Sequence, residues 1–224
     1  MLKNIIVAID ETDFSLAKKI IDSLDNKKCF VKIGSIVFNS IGNHVITYAS
    51  KKGFDIFLDL KLHDIPNTVK KSIQGLSSLP INMLTIHASG GREMMEAAMQ
   101  AVAGTNIKIF GVTALTSLDD EDVMEIYNRS TLDQVNIMLD LAEAAGIDGI
   151  VCSPHELDLV NKKDSLLSIT PGIRLEDLND DQKRTMTPKR AIKLGADYIV
   201  LGRAITSSEN IGQALTDIYR DINS

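Results

Sequence analysis

Three charged side chains in the stretch FLDLKLHDIPNTV, Phe57 to Val69, are spaced for chemistry: Asp59, Lys61 and Asp64. Ile56-Phe57-Leu58 opens the stretch as an apolar strand, so Asp59 and Lys61, two positions apart, project from one face. Asp64 falls in the turn before Pro66, a residue suited to the first position of a helix. Two carboxylates and an ammonium at the end of a buried strand are costly to desolvate unless they pair. Such a cluster offers a cation kept protonated by its neighbours and placed where negative charge can develop. The plainer alternative is a strand-end ion pair that caps the helix after it.

Positioning that cluster requires strands that end together. Short apolar, largely β-branched runs occur at Ile5–Ile9, Phe30–Ile33, Ile56–Leu60, Met83–His87, Ile107–Val112, Gly149–Cys152, Leu166–Thr170 and Tyr198–Leu201. Continuous runs of this kind suit parallel strands buried on both faces. Helical spacing recurs between them, as in Ala17, Ile20, Ile21 and Leu24, or Met94, Ala97, Ala98 and Ala101. Thr187-Pro188 and Ser153-Pro154 mark helix starts. Eight β–α units in 224 residues predict an α/β fold, a single-domain (β/α)8 TIM barrel over residues 1–224. A doubly wound open sheet is the alternative, but the first strand ends in AIDETD without a G-x-G-x-x-G fingerprint. The stretches 117–130 and 175–184 follow strands and are expected to be loops acting as lids.

In a barrel, the side chains at the C-terminal strand ends converge. Taken in order, these are Asp10, Lys32, Asp59 with Lys61, Thr116, the run Pro171-Gly172-Ile173-Arg174, and Gly202-Arg203. A glycine-flanked loop after the eighth strand suits a phosphate, which Arg203 can bind bidentately.

Composition narrows the partners. The net charge of -6 lacks the basic footprint of a nucleic-acid binder, although a few cations in a cleft can still dominate a local field. No run approaches the ~20 apolar residues of a membrane span, and the N-terminal apolar run is too short for a signal peptide, so a cytoplasmic protein is expected. Cys29 and Cys152 sit in apolar runs and are expected to be reduced core residues. No set of His, Asp and Glu shows metal-ligand spacing. His63 alternates away from Asp59 and Lys61 and is expected to pack, whereas His87 could line the barrel mouth. His44 and His155 fall in helical segments.

The segment LDLKLHDIPNTV, with its Asp-x-Lys-x-x-Asp spacing, closely resembles the orotidine 5'-phosphate decarboxylase family, and the likeness spans nearly the whole chain. The resemblance implies decarboxylation of orotidine 5'-phosphate to uridine 5'-phosphate, with no metal and no other cofactor. It implies a catalytic Lys61 flanked by Asp59 and Asp64, and Lys32 in the same alternating charge network. It assigns Asp10 to the nucleoside and Thr116 of the LTS motif to the pyrimidine. Pro171 and Arg174 of PGIR, Gln182 of DQKR, and Gly202 with Arg203 are assigned to phosphate and closure over the base. Ile65 and Thr68 complete the ligand-contacting segment. The resemblance further implies a homodimer in which Asp64 and Thr68 reach the partner's site. GRAIT departs from the family's GRPIT at Ala204 without removing a catalytic group, and LNDDQKR is shorter before Gln182 than in many relatives.

Two other readings are open to the same residues. A magnesium-dependent sugar-phosphate decarboxylase or aldolase also uses an Asp-x-Lys-x-x-Asp strand, but with further acidic ligands; here the second strand ends in Lys32 and HDIPNTV follows. A non-catalytic phosphometabolite-binding barrel would have no use for the Lys32, Asp59, Lys61 and Asp64 array.

Overall fold

In the computed structural model, which describes residues 3–175 and 186–224, eight parallel strands close into a barrel in chain order. The strands are β1 (Ile5–Ile9), β2 (Cys29–Gly34), β3 (Ile56–Leu62), β4 (Met83–His87), β5 (Lys108–Val112), β6 (Gly149–Val151), β7 (Leu167–Thr170) and β8 (Tyr198–Leu201). Between them run α1 (Phe14–Asp22), α2 (Ser35–Ile41), α3 (Asn43–Lys51), α4 (Pro66–Leu76), α5 (Arg92–Val102), α6 (Asp120–Tyr127), α7 (Thr131–Ala145), α8 (Leu157–Val160) and α9 (Pro188–Lys193). After β8 come α10 (Arg203–Thr206) and α11 (Ile211–Ile222). Pairing of β1 with β8 closes the sheet and rules out the open doubly wound alternative.

Local chemistry sets the helix ends. Asp13 accepts from the Ser15 and Leu16 N–H groups to open α1, Pro66 begins α4, and Gly146 closes α7 in a left-handed conformation. The stretch 117–130, expected as a loop, contains α6. A reciprocal capping box between Asp119 and Asp122 starts that helix, which buries Val123 and leaves Met124 and Ile126 exposed. Of the other expected lid, 175–184, only Leu175 is among the described residues, and it is exposed.

The core has two layers. Outward strand residues such as Ile5, Val7, Ile9, Val31 and Ile33 pack against the helices. Inward residues Ile6, Ala8, Phe57, Met83, Phe110, Val112, Val151, Ile169 and Val200 fill the barrel, with Phe30, Leu167 and Tyr198 against them. Large rings meet edge-on in this interior, Phe57 with Phe110 at 6.4 Å and Tyr198 with both Phe110 (6.5 Å) and Phe30 (5.6 Å). Lys3 lies over Phe30 at 4.3 Å and pairs with Asp55 at 2.7 Å, closing the N-terminal end. Toward the C-terminal strand ends the inward residues are short, namely Ala8, Val112, Val151 and Val200, so a cavity opens there.

Gly149 makes room for the ring layer. A Cβ there would stand 2.3 Å from the Leu167 carbonyl oxygen and 2.7 Å from the Phe110 ring. Gly149→Ala is therefore expected to destabilise the barrel by about 3 kcal/mol through overpacking, read as a lower denaturant midpoint in equilibrium unfolding.

Candidate active site

The cavity, about 500 Å³, lies at the C-terminal ends of the strands. Its lining includes Asp10, Lys32, Asp59, Lys61, Thr116, Pro171, Arg174, Gly202 and Arg203, nine residues singled out from sequence. A broader groove beside α9 and α11 lies outside the barrel mouth, and its Lys189 is paired with Asp221 at 3.2 Å.

At the centre of the first cavity is a row of alternating charge. Asp59 is only 8% exposed. Both of its oxygens accept from Lys61 Nζ at 2.8 Å, and Lys32 Nζ lies 3.4 Å from Oδ2. Lys32 Nζ lies in turn 3.6 Å from Asp10 Oδ1. Burial pushes the Asp59 carboxyl upward, but the Lys32 and Lys61 ammoniums and the bonds from Lys61 and Thr85 outweigh it and hold the group below the usual carboxylate range.

Backbone geometry aims Lys61. The β3–β4 register jumps from Leu58↔Leu84 to Leu62↔Ile86, so β3 carries extra residues opposite β4. Lys61 takes up the irregularity with φ of 50°, in the left-handed region that costs a side-chain-bearing residue about 1–2 kcal/mol. Its N–H donates to Thr85 Oγ1 at 2.9 Å, and that hydroxyl donates to Asp59 Oδ1 at 2.9 Å. The spacing Asp-x-Lys predicted a shared face; the bulge and its threonine were not foreseen.

Asp64, Ile65 and Thr68 do not line this cavity. Asp64, Ile65 and Thr68 are exposed, Ile65 by 67%, and the Asp64 carboxylate accepts from the Ile65 N–H at 2.7 Å. Within one chain, then, Lys61 lies between Asp59 and open space, not between two carboxylates. Gln182 lies outside the described residues. His63 is exposed, its ring 5.3 Å from that of half-buried His87. Burial, then the neighbouring His63 and Lys61, push His87 below its ordinary value. Cys29 and Cys152 are buried, and burial pushes the Cys29 thiol up to about 12.

Sequence reasoning missed Thr85, Glu11, Thr206, Ser207 and the apolar floor of Ala8, Phe57, Val112, Val151 and Val200. The floor was legible as the alternate residues of strands already assigned. Thr85 gave no signal, because a threonine inside MLTIH reads as an ordinary strand former.

A closed barrel whose mouth gathers two lysines and two arginines around a buried aspartate defines a (β/α)8-barrel enzyme for an anionic small molecule. Residues 3–218 match the model of the "Orotidine 5'-phosphate decarboxylase / HUMPS family", and the chain belongs to that family. A protein from Ehrlichia canis named orotidine 5'-phosphate decarboxylase is 46% identical over 223 residues, covering 98% of this chain and 97% of that protein. One of the same name from Actinobacillus succinogenes is 40% identical over 225 residues, covering 97% of each. The crystal structure of orotidine 5'-phosphate decarboxylase from Lactobacillus acidophilus superposes with a TM-score of 0.87 at 35% identity, covering 99% of this chain and 100% of the other.

The depressed Asp59 value has a pH signature. A carboxyl that titrates lower in the folded than in the unfolded chain contributes stability above the unfolded value of about 4 and loses it as pH falls through the folded value. The unfolding midpoint is expected to drop as pH is lowered below about 4, and Asp59→Asn is expected to flatten that part of the curve. An unchanged slope in the variant would show that other carboxylates govern acid unfolding.

Proposed function

We propose that this chain, acting over residues 1–224 as one barrel domain, decarboxylates orotidine 5'-phosphate to uridine 5'-phosphate, the last step of pyrimidine nucleotide synthesis. The observation that carries the proposal is the Lys32–Asp59–Lys61 row, centred on a buried carboxylate, with Arg174 and Arg203 lining the same cavity. The row suits a reaction in which negative charge appears on a carbon with no carbonyl placed to delocalise it.

The C6–carboxylate bond breaks with its electron pair left on C6, and carbon dioxide departs. Lys61 Nζ stabilises the pair and donates a proton to it, forming the C6–H bond; the neutral amine then regains a proton from water. Asp59 keeps Lys61 charged before the step and holds it in place, so little reorganisation is needed when the carbanion forms. Asp59 beside the substrate carboxylate also raises the ground state, a contribution whose size is contested. No metal is called on. The Asp59 carboxylate already accepts from one ammonium and faces a second, which disfavours a divalent cation at the same oxygens.

Asp10 and Lys32 hold the ribose end and Thr116 the pyrimidine edge. Arg203 with Arg174, Gln182, Pro171 and the Gly202 backbone takes the phosphate and closes over the base. Binding at the phosphate, remote from C6, supplies energy that assembles the charges around the reacting carbon.

Asp64, Ile65 and Thr68 act in trans. Their exposure on the rim, away from their own cavity, fits a homodimer in which Asp64 and Thr68 enter the partner's site and Asp64 becomes the second carboxylate beside Lys61. The reaction is cytoplasmic, and among the described residues no helix is long and apolar enough to cross a membrane.

The ultraviolet absorbance of orotidine 5'-phosphate is expected to fall with the purified protein at a rate that EDTA leaves unchanged. Silence on this substrate would overturn the proposal, and loss of activity with EDTA would overturn its metal-free form. Lys61→Ala is expected to cut turnover by at least about a thousandfold while uridine 5'-phosphate still binds. Assembly in trans has its own test. Lys61→Ala and Asp64→Ala subunits, each nearly inactive alone, are expected to regain about a quarter of wild-type activity when dissociated and re-paired, since a mixed dimer restores one intact site of two. No regain on mixing would place Asp64 outside the partner's chemistry.

A further inference from the structure

The alternating row depends on a residue that carries no charge. Thr85 sits on β4 with 0% exposure, between Leu84 and Ile86, where the β3–β4 register slips. Where the pairing jumps from Leu58↔Leu84 to Leu62↔Ile86, the Lys61 N–H donates to Thr85 Oγ1 at 2.9 Å. An unmade bond there would leave a part-buried donor unsatisfied at about 1–3 kcal/mol. The same hydroxyl has one proton, and it is donated to Asp59 Oδ1 at 2.9 Å. One side chain thus holds the backbone of the ammonium-bearing residue and the carboxylate that its ammonium grips.

We infer that Thr85 is a positioning residue that locks Lys61 in its left-handed backbone conformation and fixes the carboxylate plane of Asp59, so that Lys61 Nζ is aimed before substrate arrives. The inference rests on the decarboxylase reading for its kinetic consequences, but not for its structural ones. Four acceptor contacts share the two Asp59 oxygens. Oδ1 takes Thr85 and Lys61, while Oδ2 takes Lys61 and faces Lys32. The two ammoniums come from long, flexible stems, Lys32 on β2 and Lys61 on β3, and both can follow the carboxylate if it rotates. Thr85 cannot follow, because β-branching leaves a buried threonine little χ1 freedom on its strand. The hydroxyl is the fixed point of the row. The other titratable groups near it are Asp10, beyond Lys32, and His87, on the same strand and held near His63.

A residue that only packed would be replaced well by valine, which has nearly the same shape, and less well by serine, which lacks the methyl group. A positioning hydroxyl reverses that order. Thr85→Val is expected to lower kcat by about ten- to a hundredfold with KM within about twofold, since the phosphate-binding groups are untouched; Thr85→Ser is expected to recover most of kcat. If Thr85→Val does not fold, Thr85→Ala carries the same comparison with serine. Hydrogen exchange at the Lys61 amide gives a readout that needs no turnover. Its protection is expected to fall more than tenfold in the valine or alanine variant and to be kept with serine. Valine at wild-type kcat, or valine and serine equally impaired, would overturn the inference. An inactive wild-type protein whose Lys61 amide still loses protection in the valine variant would remove the decarboxylase reading and leave Thr85 as the pin of the bulge.

Discussion

A carboxylate almost wholly out of water is the constraint around which the barrel mouth is built. Asp59 is ionised where burial opposes ionisation, and only two ammoniums and a hydroxyl at its oxygens make that state tolerable. Each partner comes from a different strand, Lys32 from β2, Lys61 from β3 and Thr85 from β4. The row therefore exists only when those three strands are paired and in register. Folding and site assembly are one event here, since no local segment holds more than part of the network.

The rest of the architecture serves that arrangement. Rings and long aliphatics pack the N-terminal part of the barrel, while short side chains near the C-terminal strand ends leave the volume for a ligand. Stability is thereby concentrated away from the mouth, and the cost of a buried charge row and of a left-handed lysine is borne where little else is packed.

Much of the fold was legible because strands buried on both faces need continuous apolar runs, and the sequence has eight of them. Three of the expected strands match the observed ones and four differ by no more than a residue at either end, as with Ile107–Val112 against Lys108–Val112. The longer discrepancy, β3 running on to Leu62, lies at the bulge, and nothing in Leu-Lys-Leu announces a positive φ. Helix α6 was missed for a different reason: aspartates write its start and Val123, Ile126 and Tyr127 stand at helical spacing, but the helix is only eight residues long inside a charged stretch. Charged residues at strand ends were found readily, because such types are conspicuous in apolar surroundings. Thr85 was not, since its chemistry depends on which strand lies beside it. Asp64 shows the converse limit: its spacing marks it as part of the cluster, and only coordinates reveal that it points away from its own cavity.

The edge-on rings in the barrel interior have one more consequence. With Phe57, Phe110 and Tyr198 meeting edge-on below and Lys3 bridged to Asp55 beneath them, the described residues close the cavity toward the N-terminal end of the barrel. On the proposed reaction, carbon dioxide is released within that cavity, beside the Lys61 ammonium. The fate of the newly formed carbanion is then a contest between a proton at fixed range and the departing molecule. Commitment to product is set by how near Lys61 stands.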